Sequence, residues 1–394
     1  MTRRKTFQES MGLVRLPPAA PATAPSSSAN DTVTRYMSTG GAWLPGADLQ
    51  AEVLQFTQGR TGFPTHTAAF GGHVYAQSVL AVCQTLESTI AQNSLGLHTI
   101  HGYFTAAGRP DRPFVYEVAV LTRGRSFLTA RVEARQPVAP SRHAVAGTYT
   151  VPDDAVFDVN DLGQGNLGVV CYTAIVSLVP PRPHSLSANR QDDAVQQRFA
   201  SILAQRVPAA WDPSPPVDTD LLIDTLGVRD VVGTFPMVDM KKVDMTAFNA
   251  GRPLHERREL ILYRLLAPLP SQGAGDQNKH VLVHAYAADR NGLLMAANHL
   301  DFPLNDKTAT MSNTFVVHTN VADTQMEFLP HSETDRSLER GWWIQEVCFP
   351  RAAAGRAIIL NKIWSPTGVH VATEYQDGLC TAMGMDKLPF TFRL

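Results

Sequence analysis

Between residues 70 and 87 the chain reads "FGGHVYAQSVLAVCQTLE", with apolar residues at Val74, Tyr75, Ala76, Val79, Leu80, Val82 and Cys83. That spacing predicts a helix that is apolar on several sides, and such a helix is enclosed rather than laid on a surface. Two glycines, Gly71 and Gly72, stand where it begins. Each glycine costs about 1 kcal/mol in a helix relative to alanine, so the pair needs a reason. Downstream the pattern changes to alternation. "RPFVYEVAVLTRGRSFLTARVEA" and, in the second half, "RGWWIQEVCFPRAAAGRAIILNKIW" each place Glu-Val before a break that ends in Gly-Arg, followed by a β-rich run. Glu117 matches Glu346, and Gly124-Arg125 matches Gly355-Arg356, the mark of an internal repeat. Each copy continues into another strand, at 169–179 and 369–378. In the second copy "SPTG" makes the link a short hairpin, whereas in the first the stretch 137–168 intervenes. The second half has its helical candidate at 289–300, "DRNGLLMAANHL", with "HVLVHAYAA" before it reading as a strand.

One helix followed by several antiparallel strands, repeated, predicts an α+β double hot-dog, with two antiparallel sheets each wrapped around a central helix. The divisions are a flexible N-terminal segment at 1–39, containing the low-complexity "PPAAPATAPSSSAN", and a first hot-dog at 40–182 with its insertion at 137–168. A linker follows at 183–234, with one short helix near 194–206, and then a second hot-dog at 235–394. The glycine pair fits this fold. Without a Cβ the start of the enclosed helix can approach the sheet and the other half closely, and its backbone N–H groups are left uncovered, able to bond a carbonyl oxygen. Packing alone is the competing reading of the pair.

Composition narrows the function. Among 394 residues, 34 Lys and Arg balance 36 Asp and Glu, so no global basic excess points to nucleic acid. No apolar run is long enough to span a membrane, and "MTRRKTFQES" lacks the apolar core of a secretory signal. The four cysteines form no CxxC pair, which argues against zinc ribbons and redox dithiols.

The chain resembles the TesB-like acyl-CoA thioesterase II family. The resemblance rests on "FGGHVYAQS", "LHTIHGYFTAAGRPDRPFVYEV" and "GRSFLTARVEARQ" in the first half, and on "AYAAD", "ATMSNTFVVH" and "VATEYQDG" in the second. It implies hydrolysis of acyl-CoA by a water held between an Asp, a Ser or Thr, and a Gln. Those roles fall on Asp289, Thr310 and Gln376. Read from its own position, Asp289 lies at the start of the 289–300 helix, where a carboxylate is favoured and is placed to act as general base, although a plain N-cap is the simpler reading of such a residue. Thr310 and Gln376 fall in strand-like segments and would orient the water. By the repeat, Val176 lies near the position of Gln376 and the glycine pair near that of Asp289, so one active site per chain is expected. Two departures concern the acyl pocket: Ser312-Asn313 stand where the family has Asp-His, and "FVVHTNV" at 315–321 replaces its aromatic-rich segment.

Other signals carry less. "GQGNLG" at 163–168 lacks the preceding strand and following helix of a dinucleotide loop, and no GxSxG occurs. His255 reads as a surface residue, and His66, His73, His98 and His101 fall on different elements rather than in a metal site. The expected protein is an acyl-CoA thioesterase of lipid metabolism that needs no metal or cofactor. Its substrate-binding residues are Gly71 and Gly72, its partner is the acyl-CoA itself, and a homo-oligomer is left open. Alternatives are a hydrolase of a pathway-specific acyl or polyketide thioester, and a catalytically weak acyl-CoA-binding protein. The ending "FTFRL" resembles a Ser-Lys-Leu-type address, which ranks cytoplasm first and peroxisome second.

Overall fold

The alternating segments become strands of one antiparallel sheet. The computed structural model describes residues 4–18, 33–45, 68–147, 149–163, 166–183, 193–214, 235–269, 276–290, 292–300, 307–330 and 337–381. The first half contributes β1 (Leu13–Arg15), β2 (Thr34–Ser38), β3 (Gly96–Phe104), β4 (Val115–Arg123), β5 (Leu128–Arg135) and β6 (Tyr172–Val179). The second contributes β7 (Asp212–Pro213), β8 (Val238–Lys242), β9 (Arg258–Leu265), β10 (Lys307–Val317), β11 (Trp343–Ala353), β12 (Arg356–Trp364) and β13 (His370–Thr381). The longer helices are α1 (Gly71–Thr85), α2 (Glu87–Asn93), α3 (Gln277–Ala288) and α4 (Gly292–His299).

Rather than two separate sheets, the described residues of the two halves form a single 13-stranded sheet in the order β1-β2-β4-β5-β6-β3-β10-β13-β12-β11-β9-β8-β7. Apart from β7, the order on one side of the seam mirrors that on the other. The seam is the antiparallel pair β3·β10, centred on His101 opposite Thr314. Glu117 and Glu346 lie on the first strand of equivalent hairpins, β4–β5 and β11–β12, as the repeat implied. α1 and α3 pack against each other beneath the sheet, and one hydrophobic cluster takes in Val74, Tyr75 and Val79 together with Val281, Leu282 and Tyr286.

The helix of the second half is not where the sequence placed it. Residues 280–288, "HVLVHAYAA", are part of α3 rather than a strand. Val281, Leu282, Val283, Ala285 and Tyr286 are all buried, so the segment shows no solvent face from which a helical period can be read. α4, within the expected 289–300 helix, is a second, shorter helix lying over β12, β13 and β10.

The segment 1–39 is also more ordered than expected. Thr6 caps a short helix, Phe7–Ser10, through a reciprocal pair with Glu9, and Phe7 and Met11 are buried in the main core. Lys5 accepts a backbone hydrogen bond from Met237 at 2.8 Å, tying this strap to the second half. The linker likewise docks: Val195, Phe199, Leu203 and Trp211 join a core cluster with Trp342, Ile344 and Trp364. Within the insertion, Phe157 packs on Leu16, Met37 and Val115.

Candidate active site

The turn between α3 and α4 carries Asp289, the C-cap of α3. The sequence placed this residue at the start of its own helix, and the structure corrects that. A carboxylate at a helix C-terminus is disfavoured by the peptide dipoles. What faces Asp289 is the N-terminus of α1, from the other half. The N-cap of α1, Phe70, offers no side-chain acceptor, so the first N–H groups of the helix need another partner. The Gly72 N–H finds one in the Asp289 carboxylate. A Cβ on Gly71 would stand 2.9 Å from Asp289 Oδ2, and one on Gly72 would stand 3.0 Å from the Tyr286 carbonyl oxygen and 2.5 Å from the Phe70 ring. The two glycines are therefore the condition for α1 to meet the end of α3.

Thr310 and Gln376 reach the same carboxylate from the sheet. Gln376 Nε2 donates to Asp289 Oδ1 at 2.6 Å and to Thr310 Oγ1 at 2.7 Å, and Thr310 Oγ1 lies 3.4 Å from Asp289 Oδ1. A β-bulge makes this possible. β10 pairs Thr310 with Gly378 but Ser312 with Asp377, so Met311 is the extra residue. The bulge reverses the alternation and brings Thr310 onto the face shared by Asn313 and Phe315. Burial is the main force on Asp289, and it pushes the carboxyl up to about 7 against the opposing hydrogen bonds from Gly72, Thr310 and Gln376.

Two sheet amides hold the turn. Gln345 Nε2 and Asn361 Nδ2 both donate to the Ala288 carbonyl, at 3.1 and 2.9 Å, and so satisfy an orphan acceptor at the end of α3. Gly292 lets α4 start directly above this group, since a Cβ there would stand 2.8 Å from Gln376 Oε1.

Asp289, Thr310, Gln376 and Gly71 line a cavity of about 380 Å³. Its wall is largely apolar, with Trp43, Phe104, Val74, Leu293 and Leu379. Gly72 is not in the wall, and its N–H is bonded to Asp289. Three of the lining residues that the sequence reading did not assign to the site stand out. Cys171 is one, and burial pushes its thiol up to about 12, so it is a protonated thiol and a poor nucleophile. Arg290 is another, buried with its guanidinium 4.3 Å from the Phe235 ring centre and 5.1 Å from that of Trp43, the third. Nothing local in the sequence marks them; the fold brings them in from distant segments. None of the described residues of the insertion at 137–168 lines the cavity.

Among the described residues the first half has no such group. About the seam, Ile100 pairs with Val176 where Asn313 pairs with Gln376, so Val176 takes the place of Gln376, as expected. The counterpart of Asp289 is Leu86, the C-cap of α1, and not the glycine pair. The glycines are its partner across the halves. At that opposite end Asn278 is bonded to the Leu97 N–H at 2.7 Å and the Leu95 carbonyl at 3.2 Å.

His73 lies in α1, His98 and His101 on β3, and His255 is exposed, while His66 lies outside the described residues. The "GQGNLG" stretch leads into β6, not a helix. Among the described residues no helix is long and apolar enough to cross a membrane.

Residues 60–151 match the family model of the acyl-CoA thioesterase N-terminal domain. That stretch is therefore similar to the N-terminal domain of acyl-CoA thioesterases. Acyl-coenzyme A thioesterase 8 of Rattus norvegicus is 21% identical over 330 residues, covering 80% of this chain and 81% of that relative. Acyl-CoA thioesterase 2 of Haemophilus influenzae is 36% identical over 84 residues, 21% of this chain and 27% of that relative. Among solved structures, the acyl-CoA thioesterase II TesB2 of Mycobacterium marinum superposes with a TM-score of 0.50 at 20% identity, covering 96% of this chain and 99% of that one. A hot-dog protein from Alicyclobacillus acidocaldarius gives a TM-score of 0.50 at 13% identity over 95% and 98% of the two chains. These likenesses fix the fold as hot-dog. Together with the family match they support the TesB-like resemblance read from the motifs.

Proposed function

We propose that this protein hydrolyses acyl-CoA with Asp289 as general base. The observation that carries the reading is a single one: a buried carboxylate at the N-terminus of α1, bonded to Gln376 and facing an apolar cavity through Thr310. A base is most effective when its pKa lies near the working pH, and burial has moved this carboxyl to about 7. The loose 3.4 Å contact between Thr310 and Asp289 is where a water would enter and take over the hydrogen bond. Asp289 accepts a proton from that water as its oxygen attacks the thioester carbonyl. The C–S bond then breaks, and the proton on Asp289 passes to the departing CoA sulfur, leaving free acid and thiol. The Gly71 N–H, at the same helix end, supplies a donor for the carbonyl oxygen as it gains charge. The acyl chain runs past Val74, Phe104 and Leu293. Cys171, held as a thiol, takes no part as a nucleophile.

The deciding experiment is thiol release by the purified protein across a panel of acyl-CoA esters. Asp289→Asn serves as control, and turnover that survives it at the parent rate would overturn the assignment. Running the same acyl groups on a carrier protein separates the reading from that of a pathway-specific hydrolase.

A further inference from the structure

Directly behind the base lies a second carboxyl group that the mechanism above does not use. Glu374 is two residues before Gln376 on β13, on the same face, and has no solvent exposure. Its Oε2 accepts from Asn361 Nδ2 at 2.8 Å, and the same nitrogen donates at 2.9 Å to the Ala288 carbonyl, one residue before Asp289. Glu374, Asn361 and Ala288 thus form a chain that ends at the peptide carrying the base. The surroundings are rich in acceptors and poor in donors. Glu374 Oε1, Asn361 Oδ1 and Gln345 Oε1 are all buried without a partner among the described residues.

The groups facing Glu374 are known for each element packed on it. Asn361 comes from β12, Phe315 from β10 in register, Tyr75 from α1, Tyr172 from β6, and Asp289 from the end of α3. None of these is a cation, and among the described residues no ion pair includes Glu374. An isolated buried carboxylate costs far more than a buried acid, and a second negative charge beside Asp289 raises that cost.

We propose that Glu374 is a positioning residue for Asp289: a neutral carboxylic acid that fixes the amide of Asn361, and through it the end of α3. The acceptor oxygen of Glu374 turns the Asn361 nitrogen, rather than its oxygen, toward Ala288. The proton on Glu374 keeps the single negative charge of the pair on Asp289. Burial and the neighbouring Asp289 charge both push the Glu374 carboxyl well above the usual range, which agrees with this geometry. The inference rests on the reading of Asp289 as the base, so its test includes a readout that needs no turnover.

The full chain is compared with Glu374→Gln and Glu374→Leu. Infrared difference spectra at pH 8 show the carbonyl stretch of a protonated carboxylic acid in the parent, and it is lost in both variants. Titration of Asp289, followed by the same method against Asp289→Asn, gives the same midpoint in the parent and in Glu374→Gln, because an amide and a neutral acid carry the same charge. A midpoint lower by about one unit or more in Glu374→Gln shows that Glu374 is an anion and overturns the proposal. For turnover, Glu374→Leu removes the acceptor and lowers kcat by about tenfold or more with KM little changed, while Glu374→Gln recovers most of the loss. Full kcat in Glu374→Leu refutes the positioning role. Should that variant not fold, Asn361→Leu breaks the same chain one link on. Absence of any turnover in the parent tells against Asp289 as base, and the infrared measurements still decide the state of Glu374.

Discussion

A carboxylate at about 7 is a compromise between burial and three hydrogen bonds, and its consequences run in two directions. The rate depends on the ionised form, so kcat/KM should rise with pH through about 7 and level above it. Stability runs the other way. The folded state holds the Asp289 proton at pH values where the unfolded chain has released it, so this group favours folding below pH 4 and progressively less toward pH 7. Asp289→Asn keeps the shape and an acceptor for the Gly72 N–H. It should lower turnover by about 10²–10⁴-fold, yet melt no lower than the parent at pH 8. A large fall in melting temperature would show that the carboxylate is needed for the fold. Gly71→Ala should lower kcat more than it lowers the melting temperature, since the added methyl meets Asp289 Oδ2 at 2.9 Å. At this scale Asp289, Thr310 and Gln376 were legible because their motifs stand in order along the chain. Arg290 and Glu374 were not. Each looks like an ordinary charged residue, and only the fold shows that it is buried.

Among the elements, the strands and hairpins could be read from alternation, and α1 from its apolar faces. α3 could not, because a segment buried on all sides has no period and its two β-branched valines, Val281 and Val283, suit a strand as well. The bulge at Met311 also leaves no mark in the sequence, although it decides which face Thr310 occupies. The linker was read as a connector, yet Arg198, at the end of its first short helix, grips Glu346 with both guanidinium nitrogens, at 2.9 and 2.6 Å. Glu346 is buried and also accepts from Trp364 Nε1 at 3.1 Å. Breaking a buried pair leaves an uncompensated charge. Arg198→Ala should therefore cost about 2 kcal/mol or more in denaturant unfolding while leaving kcat unchanged. A loss within error would mean that Arg258, whose Nε lies 3.7 Å from Glu346, is sufficient alone.

For the whole molecule the seam matters most. α1 and α3 share one core, and β3 and β10 pair edge to edge, so neither half is a closed unit. Calorimetry should show a single transition, and two separable transitions would refute the shared core. The repeat made the doubling of the fold readable. It did not reveal that Asp289 stands on one half and the helix end that receives it on the other, since nothing in a local window records a contact between Gly72 and Asp289.

That seam also sets a schedule for biosynthesis. β3 ends at Phe104 and its partner begins at Lys307. At a ribosomal speed of roughly 5–20 residues per second, the partner follows about 10–40 seconds later. Throughout that interval the inner edge of the first half has unpaired backbone and an uncovered apolar helix, the combination that invites strand addition between nascent chains. Polysomes translating this message carry many such edges close together. Chaperone demand during synthesis should therefore fall on the first half, and it should end when β10 emerges.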